Sequence, residues 1–79
     1  MKISVKDAET GSRIGMEVDG DNTVEEVVES AANYWNKDPG AYVVRLGKQV
    51  LGGQTVLGST QLQDGDVVEL IPDPEGGRR

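Results

Sequence analysis

Residues 23–35 read Thr-Val-Glu-Glu-Val-Val-Glu-Ser-Ala-Ala-Asn-Tyr-Trp. Apolar side chains recur in this stretch at the spacing of one α-helical stripe; they are Val24, Val27, Val28, Ala31 and Trp35. Thr23 and Glu26 have the spacing of a capping box, and Pro39-Gly40 follows as a stop signal. The pattern predicts a helix that starts at residue 24 and ends near residue 36.

The residues before this helix have the period of β-strands. Apolar and polar side chains alternate over residues 3–5 and 14–18, which is typical of strands with one buried face. Residues 7–12 between them are rich in turn-forming side chains and include Gly11. The chain is therefore expected to open with a β-hairpin.

Three further strands are predicted after the helix. They cover residues 41–46, 48–51 and 67–71, and the segment 52–65 is expected to be mostly irregular, with Val56, Leu57 and Leu62 as apolar anchors. The strand at 67–71 is almost continuously apolar, so we place it between the first and third strands. The fold class is α+β, a mixed sheet of four to five strands packed on one helix.

Four short motifs relate the chain to a known family. They are Met1-x-Ile3-x-Val5-Lys6, Thr23-Val24-Glu25, Gly47-Lys48-Gln49 followed by Thr55, and Gly76-Gly77. In these motifs and their spacing the chain resembles the ubiquitin-like modifiers up to Gly77. The resemblance implies a ubiquitin-like β-grasp domain at residues 1–72 and a flexible tail at 73–79.

The resemblance also implies how the tail is used. A protease would remove Arg78 and Arg79, and an ATP-dependent activating enzyme would then act on the Gly77 carboxylate before conjugating enzymes join it to lysines of target proteins. Gly76 and Gly77 suit this chemistry because glycine has no Cβ that would obstruct a narrow channel. The chain itself would need no cofactor, since the ATP belongs to the activating enzyme.

The segment before the glycine pair is acidic, whereas the corresponding segment of ubiquitin is basic. It reads Pro72-Asp73-Pro74-Glu75, and its two prolines predict a stiff arm that leaves the sheet. Recognition of Asp73 and Glu75 would require basic groups on the activating enzyme. We therefore expect a dedicated enzyme and a modifier of the prokaryotic type.

Two further sets of residues follow from the resemblance. Val44, Ile71 and Ala8 are expected to form the exposed apolar surface that partners bind, although Ala8 is smaller than the leucine usual in the family. Lys48 and Lys6 match positions that accept further modifiers. As isolated surface lysines, both equally fit an ordinary solvated role, which we favour.

Composition excludes several other classes of function. The chain has no cysteine and no histidine, so we expect no catalytic residues and no enzyme activity. Asp19-Gly20-Asp21-Asn22 lacks the spacing of a calcium loop, and no metal site is expected. A net charge of −6 disfavours nucleic acid and anionic membranes as partners. A monomeric, cytoplasmic protein is the expectation.

Two alternatives remain open at this stage. A sulfur carrier would have the same fold and Gly77 terminus, but would bear a thiocarboxylate, and the extra arginines count against it. A non-conjugated ubiquitin-like interaction module would bind partners through its sheet and would tolerate changes at Gly77.

Overall fold

A computed structural model describes residues 1–74 of the chain. Its strands are β1 (Lys2–Asp7), β2 (Arg13–Glu17), β3 (Tyr42–Leu46), β4 (Gln49–Leu51) and β5 (Val67–Pro72). The helix α1 covers Val24–Tyr34, and two 3-10 helices cover Pro39–Ala41 and Leu57–Ser59. The predicted hairpin, helix and later strands are all present, with bounds that shift by one or two residues.

The five strands form one mixed sheet in the order β2-β1-β5-β3-β4. β1 and β5 are parallel, whereas β1 with β2, β3 with β4 and β3 with β5 are antiparallel. The apolar last strand therefore lies between the first and third strands, as its composition predicted. The fold is a small α+β domain in which one helix packs on a five-stranded sheet.

Both ends of α1 have clear local causes. The Thr23 side chain accepts a hydrogen bond from the Glu26 N–H at 3.3 Å, and Glu26 Oε1 accepts one from the Thr23 N–H at 2.8 Å. This is the predicted capping box. At the other end Asn36 has a positive φ of 63°, a conformation that asparagine tolerates better than most residues and that stops the helix.

The core lies between α1 and one face of the sheet. The helix contributes Val24, Val27, Val28 and Ala31, and the sheet contributes Ile3, Val5, Val44, Val68 and Leu70. All nine side chains are buried. Burying a valine, isoleucine or leucine side chain stabilises a fold by roughly 1.5–3 kcal/mol, so contact between the helix and the sheet is a major stabilising interaction.

The segment between β4 and β5 is anchored by two of its three predicted residues. Leu57 and Leu62 are buried in the core, in agreement with the prediction. Val56 is 41% exposed, so its prediction as an anchor was wrong. Val56 lies opposite Thr23 in an isolated antiparallel bridge, and its side chain stays outside the core. The hydrogen bonds of the bridge come from flanking residues, since the Val24 N–H donates to the Thr55 carbonyl and the Leu57 N–H donates to the Asn22 carbonyl.

Val44 lies on the opposite face of the sheet from the predicted one. It is only 2% exposed and pairs with Leu51 on β4 and Leu70 on β5, both of which are buried. The prediction that Val44 belongs to an exposed apolar surface was therefore wrong. The sequence Val43-Val44 is apolar in both phases of the strand, so alternation alone does not decide which valine faces the helix.

Candidate functional site

The predicted tail begins at the end of the most central strand. β5 has β1 on one side and β3 on the other, and its last residue, Pro72, pairs with Tyr42 at the start of β3. On the β1 side the parallel pairing ends where the Ala8 N–H donates to the Leu70 carbonyl at 3.1 Å. The chain beyond Pro72 therefore continues from the end of the central strand.

Pro72 is compatible with a central strand because its nitrogen, which carries no hydrogen to donate, does not face β3. The Asp73 N–H donates to the Ala41 carbonyl at 2.9 Å, so residues 41 and 73 form a hydrogen-bonded pair. Bonded pairs alternate in an antiparallel ladder, and the nitrogen of Pro72 faces the β1 side, where β1 has already ended. Strand pairing thus continues to Asp73, one or two residues further than predicted, before any separate arm begins.

A cluster of charged and aromatic side chains connects the elements around this exit. Lys37, just after α1, places its Nζ 2.7 Å from Asp7 Oδ2 and 2.8 Å from Glu9 Oε1. The Tyr42 hydroxyl donates to the same Glu9 oxygen at 2.9 Å, and Lys37 Nζ lies 4.9 Å from the centre of the Tyr42 ring. These four side chains, which we call the exit cluster, join the β1–β2 loop, the helix end and β3.

The exit cluster holds its charges in place. Burial of Asp7 disfavours its carboxylate, but the close contact with the Lys37 ammonium and the hydrogen bond from the Glu9 N–H outweigh burial and lower the pKa of Asp7. The contact with Asp7 and then the hydrogen bond to Glu9 raise the pKa of Lys37. Donation of the Tyr42 hydroxyl to the Glu9 carboxylate raises the pKa of Tyr42, and the hydrogen bond that Lys37 donates to Glu9 lowers the pKa of Glu9. Near neutral pH the cluster is one cation between two anions.

The predicted partner surface is only partly assembled. Ile71 is half-buried on the face opposite α1, and Ala8 is exposed close to the end of β5. Val44 is buried in the core and is not part of this surface. Its neighbour Val43 pairs directly with Ile71 and takes its place. The apolar part of this face at the tail end is therefore Val43 and Ile71.

Charged side chains occupy the centre of that face. Glu69 on β5 accepts a hydrogen bond from Arg45 Nε at 3.1 Å and forms an ion pair with the same guanidinium, which lowers the pKa of Glu69. Lys6 on β1 is the other cross-strand neighbour of Glu69. Arg13 and Lys2 extend the row of cations over β2 and β1, and Glu17 on β2 is the cross-strand neighbour of Lys2. We call these four cations, Glu17 and Glu69, with Val43 and Ile71, the open face.

The predicted acceptor lysines occupy different settings. Lys48 lies in the turn between β3 and β4, exposed, after Gly47, whose φ of 62° suits a tight turn. Lys6 is half-buried on β1 opposite Glu69. Their use as acceptors stays a prediction.

The remaining predicted site residues lie in the tail. Asp73 is described and pairs with Ala41 through its backbone. Glu75, Gly76, Gly77, Arg78 and Arg79 lie outside the described residues. Their roles in recognition, conjugation and processing stay predictions.

Sequence reasoning missed the exit cluster. Asp7 is 0% exposed and shares a strand face with Ile3 and Val5. The alternation that predicted β1 therefore extended to Asp7, and a carboxylate at a buried phase was the signal of a charged partner. No sequence pattern identified that partner as Lys37.

Within residues 1–74, no helix has the length and apolar character needed to cross a membrane. Comparison of the sequence with protein-family models and with curated proteins found no match.

Proposed function

We propose that this chain is a ubiquitin-like protein modifier with a β-grasp fold, conjugated through the Gly77 carboxylate to lysines of target proteins. The observation that carries the proposal is the relation of the glycine pair to the fold. The central strand β5 ends at Pro72, and Gly77 follows five residues later in the sequence. A helix across a mixed sheet with a parallel pair of central strands also supports the β-grasp assignment.

The chemistry assigned to the chain is limited to supplying an unhindered carboxylate. After removal of Arg78 and Arg79, the Gly77 carboxylate attacks ATP, and pyrophosphate leaves. A cysteine thiolate of the activating enzyme then displaces AMP to give a thioester. The amine of a target lysine displaces that thiolate and forms the isopeptide bond. Glycine leaves the carbonyl open to each attack because it has no Cβ.

The acidic tail would be recognised by an activating enzyme that is dedicated to this modifier. Asp73 and Glu75 lie between the last strand and the glycine pair, so an enzyme that holds the tail must contact them. Complementary basic groups on that enzyme would favour this tail over a basic one. A processing protease, an activating enzyme and conjugating enzymes complete the proposed set of partners.

A non-conjugated interaction module is the second candidate, and the open face favours it. Four of the six basic residues within 1–74 project from this face, although the whole chain has a net charge of −6. A face that concentrates cations beside Val43 and Ile71 is suited to an acidic protein partner. This candidate requires no chemistry at Gly77.

The two candidates differ in a test with isotopically labelled protein in lysate of the host. Labelled residues 1–77 and the same form carrying Gly77→Val are each incubated with and without ATP, and labelled species are measured by mass. A modifier gives adducts only with the unchanged form and only with ATP. Unmodified protein in every arm would reject conjugation in favour of the interaction module. Protein without adducts in which sulfur replaces one oxygen of the Gly77 carboxylate would reject conjugation in favour of a sulfur carrier.

A further inference from the structure

Two copies of one tripeptide, Asp-Gly-Asp, occur at turns of the chain. They are residues 19–21, between β2 and α1, and residues 64–66, just before β5. The first aspartate and the glycine of each copy are exposed. Because the two tripeptides are identical, the fold around them is the main source of any difference in their chemistry.

An Asp-Gly bond can rearrange spontaneously in water. The backbone nitrogen of the glycine attacks the side-chain carboxyl carbon of the aspartate, a C–N bond forms, and the carboxyl hydroxyl and the amide proton leave as one water. Glycine permits this approach because it has no Cβ beside the attacking nitrogen. Water then opens the resulting succinimide ring at either carbonyl. One opening restores aspartate, and the other gives isoaspartate, in which the backbone runs through the side-chain carbonyl.

The fold holds both reacting groups of the second copy. The Gly65 N–H donates to the Lys2 carbonyl at 2.7 Å, and Asp64 Oδ1 accepts a hydrogen bond from the Lys2 N–H at 2.7 Å. Both hydrogen bonds must break before the Gly65 nitrogen can reach the carboxyl carbon of Asp64. Since both attach the turn to β1, the sheet protects this Asp-Gly bond.

The same two groups are free in the first copy. Within residues 1–74, the Asp19 carboxylate makes no hydrogen bond or ion pair, and the Gly20 N–H makes no hydrogen bond. Asn22 holds the turn through other atoms: its Oδ1 accepts from the Asp19 N–H at 2.7 Å, and its N–H donates to the Asp19 carbonyl at 3.0 Å. Rotation of the Asp19-Gly20 peptide group towards the carboxyl carbon therefore opens a hydrogen bond within the turn and none to the sheet.

We propose that the Asp19-Gly20 bond is a site of spontaneous isoaspartate formation in the folded protein, whereas the Asp64-Gly65 bond is protected. Asp19 reacts through its own carboxyl group, and water is the only co-reactant. The modification makes no use of Gly77 and is independent of the proposed conjugation.

Isoaspartate at position 19 would change a close contact between two glycines. The Gly58 N–H donates to the Gly20 carbonyl at 2.9 Å, and a Cβ at Gly58 would lie only 3.1 Å from that carbonyl oxygen. Isoaspartate adds one methylene to the backbone just before Gly20, where the two backbones pack closely. It also moves the carbonyl that accepts from Asn22 out of the main chain. We therefore expect the turn to loosen its contact with the 3-10 helix Leu57–Ser59.

The test follows both Asp-Gly bonds in one sample of the full chain, incubated near neutral pH. Trypsin releases residues 14–37 and 49–78 as separate peptides, and electron-transfer fragmentation distinguishes isoaspartate from aspartate in each. In the folded protein we expect isoaspartate to form at least about fivefold faster at Asp19 than at Asp64. Equal rates at the two sites, or no isoaspartate at Asp19, would overturn the proposal.

The same incubation in urea separates the fold from the flanking sequence. Unfolding removes the hydrogen bonds to Lys2, so the rates at Asp19 and Asp64 should then agree within about twofold. A fivefold difference that persists in urea would assign the difference to the flanking residues and contradict protection by the sheet.

A pair of alanine variants tests the chemistry at Gly20. Gly20→Ala places a methyl group beside the attacking nitrogen and meets only ordinary contact with Gly58, so it should slow the reaction at Asp19 at least about fivefold. Gly53→Ala also meets only ordinary contact, with Glu25, and should leave that rate unchanged. Equal rates in the two folded variants would refute attack by the Gly20 nitrogen.

Hydrogen exchange tests the consequence for the fold. The isomerised protein is separated by chromatography, and its amide exchange is compared by NMR with that of the unchanged protein. Exchange at the Gly58 N–H should be at least about threefold faster after isomerisation, because its bond to the Gly20 carbonyl opens more often. Unchanged exchange at Gly58 would refute the loss of this contact.

Discussion

Lys37 Nζ lies 2.7 Å from Asp7 Oδ2, and this ion pair joins the end of the helix to the end of the first strand. The Asp7 side chain is fully buried, and that of Lys37 is 17% exposed. A buried carboxylate without its cation is strongly unfavourable, because water no longer solvates the charge. The pair therefore fixes the first loop beside the point where the tail leaves the sheet.

Replacing Lys37 with methionine tests this role. Lys37→Met keeps much of the side-chain volume but leaves Asp7 buried without a cation, so we expect a clear loss in the free energy of unfolding, larger than the loss from removing an exposed lysine. Lys48→Met removes the same charge from an exposed turn and should cost less than about 0.5 kcal/mol. Urea unfolding measures both, and similar losses in the two variants would contradict the role of the ion pair.

The pH dependence of stability should report Asp7. Its pKa in the folded chain is below the usual 3.8, so the unfolded chain takes up this proton more readily as the pH falls. Above the pKa that Asp7 has in the unfolded chain, the ionised carboxylate contributes its full stabilisation. This contribution is lost as the pH falls through the lower pKa of Asp7 in the folded chain. Urea unfolding between pH 6 and pH 2, roughly, should show this decline.

The matched variant for the pH series is Asp7→Asn, which cannot ionise. It should be less stable than the unchanged protein near neutral pH, and the difference should shrink towards acid pH. A stability difference that stays constant over the whole series would contradict the assignment of the acid-dependent loss to Asp7.

The orientation of β3 gives a second stability prediction. Val44→Ala creates a cavity beside Leu51 and Leu70 and should cost about 2 kcal/mol. Val43 lies half-buried on the open face, so Val43→Ala should lower the free energy of unfolding by less than about 1 kcal/mol. Thermal and urea unfolding compare the two. A larger loss at Val43 would reverse the assignment of faces.

The fold followed from periodic features of the sequence. The stripe from Val24 to Trp35 and the cap at Thr23 are local signals, and the structure has the helix where they predict it. The apolar composition of residues 67–71 predicted the central position of β5 because a strand with neighbours on both sides is shielded from water. In each case local chemistry and burial favour the same arrangement.

The surface features could be predicted less well from the sequence, because they depend on contacts between distant parts of the chain. Val43 and Val44 are equally apolar, and only pairing with β4 and β5 decides which one is buried. The Asp7–Lys37 pair joins two elements whose proximity exists only after folding.

The capping box offers a prediction on the helix itself. Thr23→Ala removes the acceptor of the Glu26 N–H and should destabilise the fold by about 1 kcal/mol. Thr23→Ser retains the hydroxyl and should lie within about 0.5 kcal/mol of the unchanged protein. Urea unfolding distinguishes them, and equal losses for alanine and serine would assign the effect to the lost methyl group.

Use of the Gly77 carboxylate is the central claim, and the sequence offers a direct way to test it. Glu75 precedes the glycine pair, so a protease specific for glutamate would leave a Gly-Gly remnant on every lysine that received the modifier. The measurement is mass-spectrometric mapping of such remnants in host protein, compared with a host that expresses only the Gly77→Val form. Remnants on target lysines that disappear in the variant host are the predicted result. Intact chains ending in Arg79, with the same background of remnants in both hosts, would contradict the account.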